Sequence, residues 1–342
     1  MRRWETRSRS PFMGRGLRIA VVRGADFLWR PVACLRKAAP RLNSDRQMIP
    51  TDQDIQRRAL GAYLGFAVGD ALGATVEFMT PEEIRNHYGV HDKMIGGDWL
   101  RLEPGQVTDD TGMSLALGQA LIDSGGWNLK AVADAFVAWL KDRPVDVGNT
   151  CRRGIIRYML HGSFAGPPNE RDAGNGACMR NLPVVLATLN DEKSFGAQTL
   201  QQCRITHNHP LSDAATLALG HMVRALVHGG TLNDCRAIAD RLVAAHPAFR
   251  FDPYPGRAGG YVVETLQTVL RFFFTTDSFV TCVTGAVNRG QDAGTTGALA
   301  GMLAGARYGA SAIPFRWLER LDLDIKSRIV DQTRRLLNLS VS

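Results

Sequence analysis

The densest group of chemically active side chains in this 342-residue sequence is the run Thr108-Asp109-Asp110-Thr111. It follows a Pro104-Gly105 turn and precedes apolar residues at helical spacing. A helix start explains the run, because Thr and Asp oxygens accept hydrogen bonds from the free N–H groups there. A single cap needs only one oxygen, whereas every residue of the run offers one. The run therefore indicates either a helix cap or hard oxygen ligands for Mg²⁺, Mn²⁺ or Ca²⁺.

A second group of this kind lies at residues 292–296 and contains Asp292, Thr295 and Thr296. It also precedes a segment with helical spacing, so a cap explains it equally well when it is taken alone. Two oxygen-rich helix starts from distant parts of a chain are, however, what a shared site for two metal ions requires. We therefore expect the 108–111 cluster and the 292–296 cluster to face each other across one pocket.

Weaker candidates lie between these clusters. Glu77 stands in an otherwise apolar run and needs a partner, of which a cation is one option, while a simple turn explains Asp146. The Gly174-Asn175-Gly176 run suits close approach to a phosphate or ribose, although a turn is the commoner reason for it. His207 and His209 have no further Cys or His cluster near them, so a loop or capping role outweighs zinc binding.

Two glycine-striped segments must position these side chains. Glycine recurs at every fourth position, as Gly61, Gly65, Gly69 and Gly73, and again as Gly297, Gly301, Gly305 and Gly309. On a helix this spacing leaves one face bare, so that another helix can approach closely, and we expect a tight central pair. Helical spacing predicts further helices at 113–122, 129–140, 153–160, 182–189, 213–227, 237–245, 262–273 and 279–288. With few strand signals, the pattern predicts a single all-α domain over residues 51–342.

The charge is unevenly distributed along the chain. The net charge is +8, but residues 1–47 hold 12 basic and 3 acidic residues, so the remainder is nearly neutral. No basic stripe is left to bind nucleic acid. Residues 1–50 are predicted to form a basic, disordered extension, with Met48 as an alternative start. An Arg-rich arm of this kind is also typical of a transit peptide or of a membrane-surface segment.

Cysteine usage and hydropathy indicate the compartment. Six widely spaced cysteines form no C-x-x-C motif, and no secretory signal is recognisable. This usage is typical of reduced thiols in a cytoplasmic protein. No run of 18 apolar residues occurs, so no transmembrane segment is expected.

Taken together, the motifs resemble the ADP-ribosylglycohydrolase family over roughly residues 55–340. Residues 61–73, 108–111 and 292–296 carry the resemblance, and 143–153, 172–183 and 205–213 extend it. It implies an all-α fold with a binuclear Mn²⁺/Mg²⁺ centre. It also implies hydrolysis of the N-glycosidic bond between ADP-ribose and an arginine of nitrogenase iron protein. The implied partners are a PII signalling protein and an ammonium channel, which bring a monomeric cytoplasmic enzyme reversibly to the membrane.

The resemblance also implies a role for each site residue. Its motif positions imply metal ligands at Thr108, Asp109, Asp110, Asp292 and Thr295. Glu77 would hold a water molecule beside the centre, and Asp146 would be the carboxylate that assists cleavage at the anomeric carbon. The ADP-ribose cleft would be lined by Asn149, Gly174, Asn175, Gly176, His207 and Tyr261.

One position departs from the family pattern. The family usually has Asp-Ala-Asp-Thr-Thr where this chain has Asp292-Ala293-Gly294-Thr295-Thr296, and Gln291 replaces the usual glycine. Gly294 supplies no side-chain oxygen, so we expect weakened occupancy of the second metal position and reduced turnover. Two alternatives stay open. One is a metal-impaired protein that binds ADP-ribose without efficient cleavage, and the other is an ADP-ribosylarginine hydrolase with a different target.

Overall fold

The computed structural model describes residues 51–97 and 99–341, so the predicted extension at 1–50 lies outside the described residues. In the described part the secondary structure is helical, and the β-structure consists of two isolated bridges. The prediction of an all-α fold is therefore confirmed. The α-helices are α1 Asp52–Ala74, α2 Pro81–Tyr88, α3 Asp109–Asp123, α4 Leu129–Lys141, α5 Asn149–His161, α6 Leu182–Ala187, α7 Glu192–Arg204, α8 Pro210–Val227, α9 Leu232–Ala245, α10 Val262–Thr275, α11 Phe279–Val287, α12 Ala293–Tyr308, α13 Phe315–Arg320 and α14 Leu323–Leu339.

The predicted helix bounds differ from the observed ones mainly at polar first turns. Helices α3, α5 and α9 begin four or five residues before the predicted starts, at Asp109, Asn149 and Leu232. Capping rather than apolar spacing defines such a start, as the reciprocal hydrogen bonds between Thr231 and Asp234 show for α9. Helices α2, α7, α13 and α14 were not predicted. Helices α2, α7 and α14 bury only a few of their residues, so polar side chains dominate their sequences.

Helices α1 and α12 form an antiparallel pair whose backbones touch along the two glycine stripes. A Cβ atom added at Gly65 would lie 2.3 Å from the carbonyl oxygen of Gly301, and one at Gly69 would lie 2.0 Å from that of Gly297. These distances are far below van der Waals contact, so only glycine permits the approach. The predicted tight central pair is confirmed. It brings the C-terminal end of α1 beside the first turn of α12.

Helix α1 runs through the centre of the core. Its residues from Gly61 to Ala74 are all buried, and the helix packs against α3, α8, α12 and α14. Asp70 is the one charged residue in that buried stretch. A buried carboxylate needs several hydrogen bonds or a cation, so its position marks where the polar site begins. Within the described residues, none of the helices meets the length and hydropathy needed to cross a bilayer.

Candidate active site

Asp70 on α1 holds the segment that starts α3. Its carboxylate accepts hydrogen bonds from the backbone N–H groups of Thr108 and Thr111, each at 3.1 Å. It also accepts from the Thr108 hydroxyl at 2.8 Å and from the Thr111 hydroxyl at 2.6 Å. Burial raises the pKa of Asp70, while these hydrogen bonds oppose the rise. Thr108 makes no side-chain cap to α3, so the capping interpretation does not account for this cluster.

The structure brings the 108–111 and 292–296 clusters together. The Thr295 hydroxyl donates to Oδ2 of Asp110 at 3.3 Å, and the Thr108 hydroxyl lies at the same distance from that oxygen. The other carboxylate oxygen of Asp110 is buried and has no hydrogen-bond partner. Asp292 precedes α12 without a side-chain cap, so capping does not explain the second cluster either.

Both clusters open into a cavity of about 730 Å³. Five acidic residues lie in its wall, and the described residues that line it include no lysine or arginine. Such a wall attracts cations, because acids packed without a counter-charge repel one another. The lining residues include Glu77, Phe78, Trp99, Asp109, Asp110, Asp146, Asn149, Cys151, Gly174, Asn175, Gly176, Met179, His207, Gln291, Asp292 and Thr295.

Mutual repulsion and burial shift the protonation of these acids. Burial raises the pKa of Asp109 to about 7, and the neighbouring charge of Asp146 adds to the rise. Burial also raises the pKa values of Glu77 and Asp110 well above their ordinary range. The charge of Asp292 adds most to the rise at Glu77, and that of Asp70 adds most at Asp110. Without a bound cation, burial and mutual repulsion therefore favour the protonated forms of these acids. A divalent cation would replace those protons, since metal ligands must be deprotonated.

The chemistry of the donor set fits such a cation. As the side chains stand, no three His, Cys, Asp or Glu residues in the described part of the chain converge closely enough to hold a metal ion. Two of the carboxylates bond to protein donors instead: Asp109 accepts from the Gly148 N–H at 3.1 Å, and Asp292 accepts from the Asn175 amide at 2.6 Å. The unpartnered oxygen of Asp110 is what a cation would satisfy.

The glycine at position 294 leaves a gap directly beside this oxygen cluster. A Cβ atom added at Gly294 would lie 3.4 Å from Oε2 of Glu77 and 3.7 Å from Oδ2 of Asp110. Both are ordinary van der Waals distances, so a side chain fits there. A longer side chain at this position would extend into the cluster. The side chain that glycine lacks at position 294 would therefore lie at the acid cluster and not at the protein surface.

The Gly174-Asn175-Gly176 run and His207 also line the cavity. Asn175 donates to Asp292 and also to the Thr265 hydroxyl at 3.0 Å, which ties this loop to the start of α12. A Cβ atom at Gly174 would lie 3.1 Å from Nε2 of His207, so glycine keeps the loop close to the ring. His209 instead caps α8 by accepting from the Leu211 N–H, which gives the zinc alternative no support.

Two of the residues expected at the site do not line the cavity. Thr108 lies behind the wall with its hydroxyl on Asp70, and Tyr261 lies beside the cavity, paired through its backbone with Gly174. The prediction did not include Asp70, Phe78 or Trp99. The Phe78 and Trp99 rings lie at the rim with centroids 5.3 Å apart, and both are more than half exposed. Asp70 could have been recognised as the one acid in a glycine-striped apolar helix. No local sequence pattern indicates the contact between Phe78 and Trp99.

Comparison with known proteins assigns this helical chain to a family. The family model described as ADP-ribosylglycohydrolase matches residues 51–341, and the chain belongs to this family. It is 56% identical over 290 residues to the ADP-ribosyl-[dinitrogen reductase] glycohydrolase of Rhodospirillum rubrum, spanning 85% of this chain and 99% of that protein. It is 32% identical to the ADP-ribosylarginine hydrolase Tri1 of Serratia proteamaculans, spanning 82% of this chain and 79% of Tri1. A solved structure described as an ADP-ribosylglycohydrolase-related protein complex superimposes with a TM-score of 0.75 at 35% identity, covering 84% of this chain and 99% of that one.

Proposed function

We propose that this chain hydrolyses the N-glycosidic bond between ADP-ribose and an arginine side chain of dinitrogenase reductase, and so reactivates nitrogenase. The observation that carries the proposal is the 56% identity to the R. rubrum glycohydrolase, which extends over 99% of that protein. The similarity to the Tri1 hydrolases of two further bacteria supports arginine as the modified residue.

The cavity suits this substrate in size and charge. Its volume of about 730 Å³ lies within the range for dinucleotide-sized ligands. The acids on one wall match the guanidinium of the modified arginine, because charge-assisted hydrogen bonds to carboxylates are the strongest that guanidinium forms. The backbone N–H groups of Gly174 and Gly176 suit the negatively charged diphosphate, whereas that of Asn175 already donates to the carbonyl of Gly260.

Two carboxylates carry out the chemistry in this proposal. Asp146, half-buried in the cavity wall, assists cleavage at the anomeric carbon as a general acid or base, a contribution of about 10²–10⁴-fold. Glu77 holds and orients the attacking water by a hydrogen bond. Burial and the neighbouring acids favour a proton on Glu77, so it also suits proton exchange with that water. Arginine leaves a sugar poorly, which is why both groups are needed.

The proposed cofactors are two divalent metal ions, Mn²⁺ or Mg²⁺, held by Thr108, Asp109, Asp110, Asp292 and Thr295. Bound divalent ions supply charge stabilisation and lower the pKa of water. Thr108 donates its hydrogen to Asp70, which leaves its oxygen lone pairs free for a cation. Because Gly294 lacks an oxygen where the cluster has space for one, we expect the second ion to bind more weakly.

We further propose that the protein is a monomeric cytoplasmic enzyme that a PII signalling protein and an ammonium channel bring reversibly to the membrane. The family resemblance supports this arrangement. Sedimentation of the chain with channel-containing vesicles, with and without the PII protein, tests it. Binding that requires both partners is expected, and equal binding to vesicles without the channel would contradict it.

Gly294 favours a second candidate, a protein that binds ADP-ribose but cleaves poorly. Release of ADP-ribose from ADP-ribosyl-arginine, measured with and without Mn²⁺, separates the two. Hydrolysis that depends on Mn²⁺ supports the enzyme, whereas binding without release at saturating Mn²⁺ supports the second candidate. Release from the small substrate but not from ADP-ribosylated dinitrogenase reductase would indicate a different target.

A further inference from the structure

Arg180 is a fully buried cation that lies just behind the wall of the active-site cavity. It ends the short 3₁₀ turn Cys178–Arg180, and its guanidinium contacts the sulfur of the cavity residue Cys151 at 3.6 Å. Its hydrogen-bond acceptors in the described structure are uncharged: the side chain and carbonyl of Gln202, the hydroxyl of Thr206, and the sulfurs of Met113 and Cys151. The ring of Phe136 covers its face at 4.6 Å. A buried charge whose hydrogen bonds all go to uncharged groups orients those dipoles strongly.

The Thr206 hydroxyl links Arg180 to His207. The guanidinium donates to the Thr206 oxygen at 2.7 Å, and Nδ1 of His207 lies 2.7 Å from the same oxygen. Arginine can only donate, and a hydroxyl carries one hydrogen, so the hydrogen of Thr206 is free to point at Nδ1. The nearby sulfur of Cys151 is the competing acceptor, and a thiol sulfur is a weak one. With the Thr206 hydrogen directed at Nδ1, Nδ1 is the acceptor and the ring proton lies on Nε2.

The Nε2 atom of His207 faces the Gly174-Asn175-Gly176 loop. Cβ atoms added at Gly174 and Gly176 would lie 3.1 and 3.2 Å from Nε2, and no hydrogen bond from Nε2 is formed within the described residues. We propose that Arg180 and Thr206 are positioning residues that fix His207 as its Nε2–H tautomer, and that this N–H donates to an oxygen of ADP-ribose. The tautomer rests on the direction of the Thr206 hydroxyl hydrogen, whereas the ligand rests on the proposed function.

The charge state of the ring agrees with this arrangement. Burial lowers the pKa of His207 well below its ordinary value, and the positive charges of Arg180 and Arg153 lower it further. A neutral ring with a fixed N–H is a donor whose strength stays constant through the physiological pH range. That constancy suits a cavity whose acids exchange protons and cations around it.

Nitrogen NMR of the full chain labelled at histidine tests the tautomer directly, with a His207→Gln variant for assignment. We expect a proton on Nε2 and none on Nδ1 in the unmodified protein, and a proton on Nδ1 would overturn the proposal. Thr206→Val removes the link, so the fixed tautomer should be lost, and Thr206→Ser should restore it. Retention of the same tautomer in Thr206→Val would also overturn the proposal.

Calorimetric binding of ADP-ribose tests the role of the N–H. We expect Thr206→Val to raise the Kd about tenfold, as for a lost hydrogen bond, while Thr206→Ser stays close to the unmodified protein. Thr333→Val is the control, because Thr333 is equally buried on α14 but donates only within its own helix. A changed tautomer with an unchanged Kd would refute the donor role. An Nε2–H tautomer in a chain that does not bind ADP-ribose would instead refute the proposed function.

Discussion

The hydroxyl of Thr295 donates to the carboxylate of Asp110 at 3.3 Å, although the two residues are 185 positions apart in the chain. The contact depends on the α1–α12 pair. Thr295 lies in the first turn of α12, and Asp110 lies in a segment that Asp70 ties to α1. The glycine stripes therefore do more than fill the core, because they set the distance between the two halves of the site.

Gly69→Ala should push helices α1 and α12 apart and so increase the distance between the two halves of the site. The added methyl group would lie 2.0 Å from a backbone carbonyl of α12, which cannot move without parting the helices. We expect a loss of about 3 kcal/mol in the free energy of unfolding, measured by urea denaturation, together with loss of hydrolysis. Gly196→Ala on α7 is the matched control, since no atom lies within 4 Å of its added methyl group, and it should stabilise by about 0.5–1 kcal/mol. Equal effects of the two substitutions would contradict the account.

Asp70→Asn should weaken metal binding although it replaces none of the proposed ligands. The amide nitrogen would face the N–H and O–H donors of Thr108 and Thr111, so the segment would lose its anchor. We expect the Kd for Mn²⁺, measured by calorimetry, to rise about 10–100-fold. Asp123→Asn makes the same change on the exposed end of α3 and should leave the Kd unaltered. A normal Kd in Asp70→Asn would mean that the segment holds its shape without α1.

Gly294→Asp should have opposite effects on the metal-free and the metal-loaded protein. The new carboxylate would lie beside Glu77 and Asp110, so repulsion should lower the Tm in EDTA. With Mn²⁺ it adds a ligand, and we expect about tenfold tighter binding and a higher rate of ADP-ribose release. Gly294→Asn is the control of similar size without the charge, and its effects should be smaller in both states. No gain in Mn²⁺ affinity for Gly294→Asp would show that position 294 lies outside the metal centre.

The metal-free protein should lose stability as the pH rises. A carboxyl whose pKa is raised in the folded state binds its proton more tightly there than in the unfolded chain. Stability is therefore greatest below the ordinary carboxyl pKa and falls up to the raised one, which is about 7 for Asp109. We expect the Tm in EDTA to fall by about 5 °C between about pH 5 and about pH 8. Saturating Mn²⁺ should reverse the fall, and a Tm in EDTA that rises over this range would contradict the arrangement of the acids.

Asp146→Asn should separate chemistry from binding. Removal of a general acid or base is expected to lower kcat by about 10²–10⁴-fold. The Kd values for Mn²⁺ and ADP-ribose should change little, because Asp146 is not among the proposed metal ligands. Asp142→Asn, at the exposed end of α4, is the neighbouring control and should keep full kcat. A large loss of Mn²⁺ binding in Asp146→Asn would reassign this residue to the metal centre.

The main features of the fold followed from periodicity. The glycine stripes predicted the α1–α12 pair, because a spacing of four residues has one structural meaning on a helix. Helices α7 and α14 were missed because polar residues dominate their sequences, although in α14 the buried residues Ile329, Leu336 and Leu337 do recur at helical spacing.

The site was predictable where several chemically active residues are adjacent in sequence, as at 108–111 and 292–296. Residues that act singly were not predictable. Arg180 sits in a short segment without periodicity, and only the folded chain shows that it is buried against Thr206. The contact between Phe78 and Trp99 likewise depends on a loop path that no local pattern specifies.

The rate of ADP-ribose release from ADP-ribosylated dinitrogenase reductase, followed while Mn²⁺ is titrated into metal-free protein, tests the central claim most directly. The account predicts release that requires Mn²⁺, stops in EDTA, and is lost equally in Asp110→Asn and Asp292→Asn, one from each cluster. Release that is independent of Mn²⁺, or that survives either substitution, would contradict a single metal-dependent site shared by the two segments.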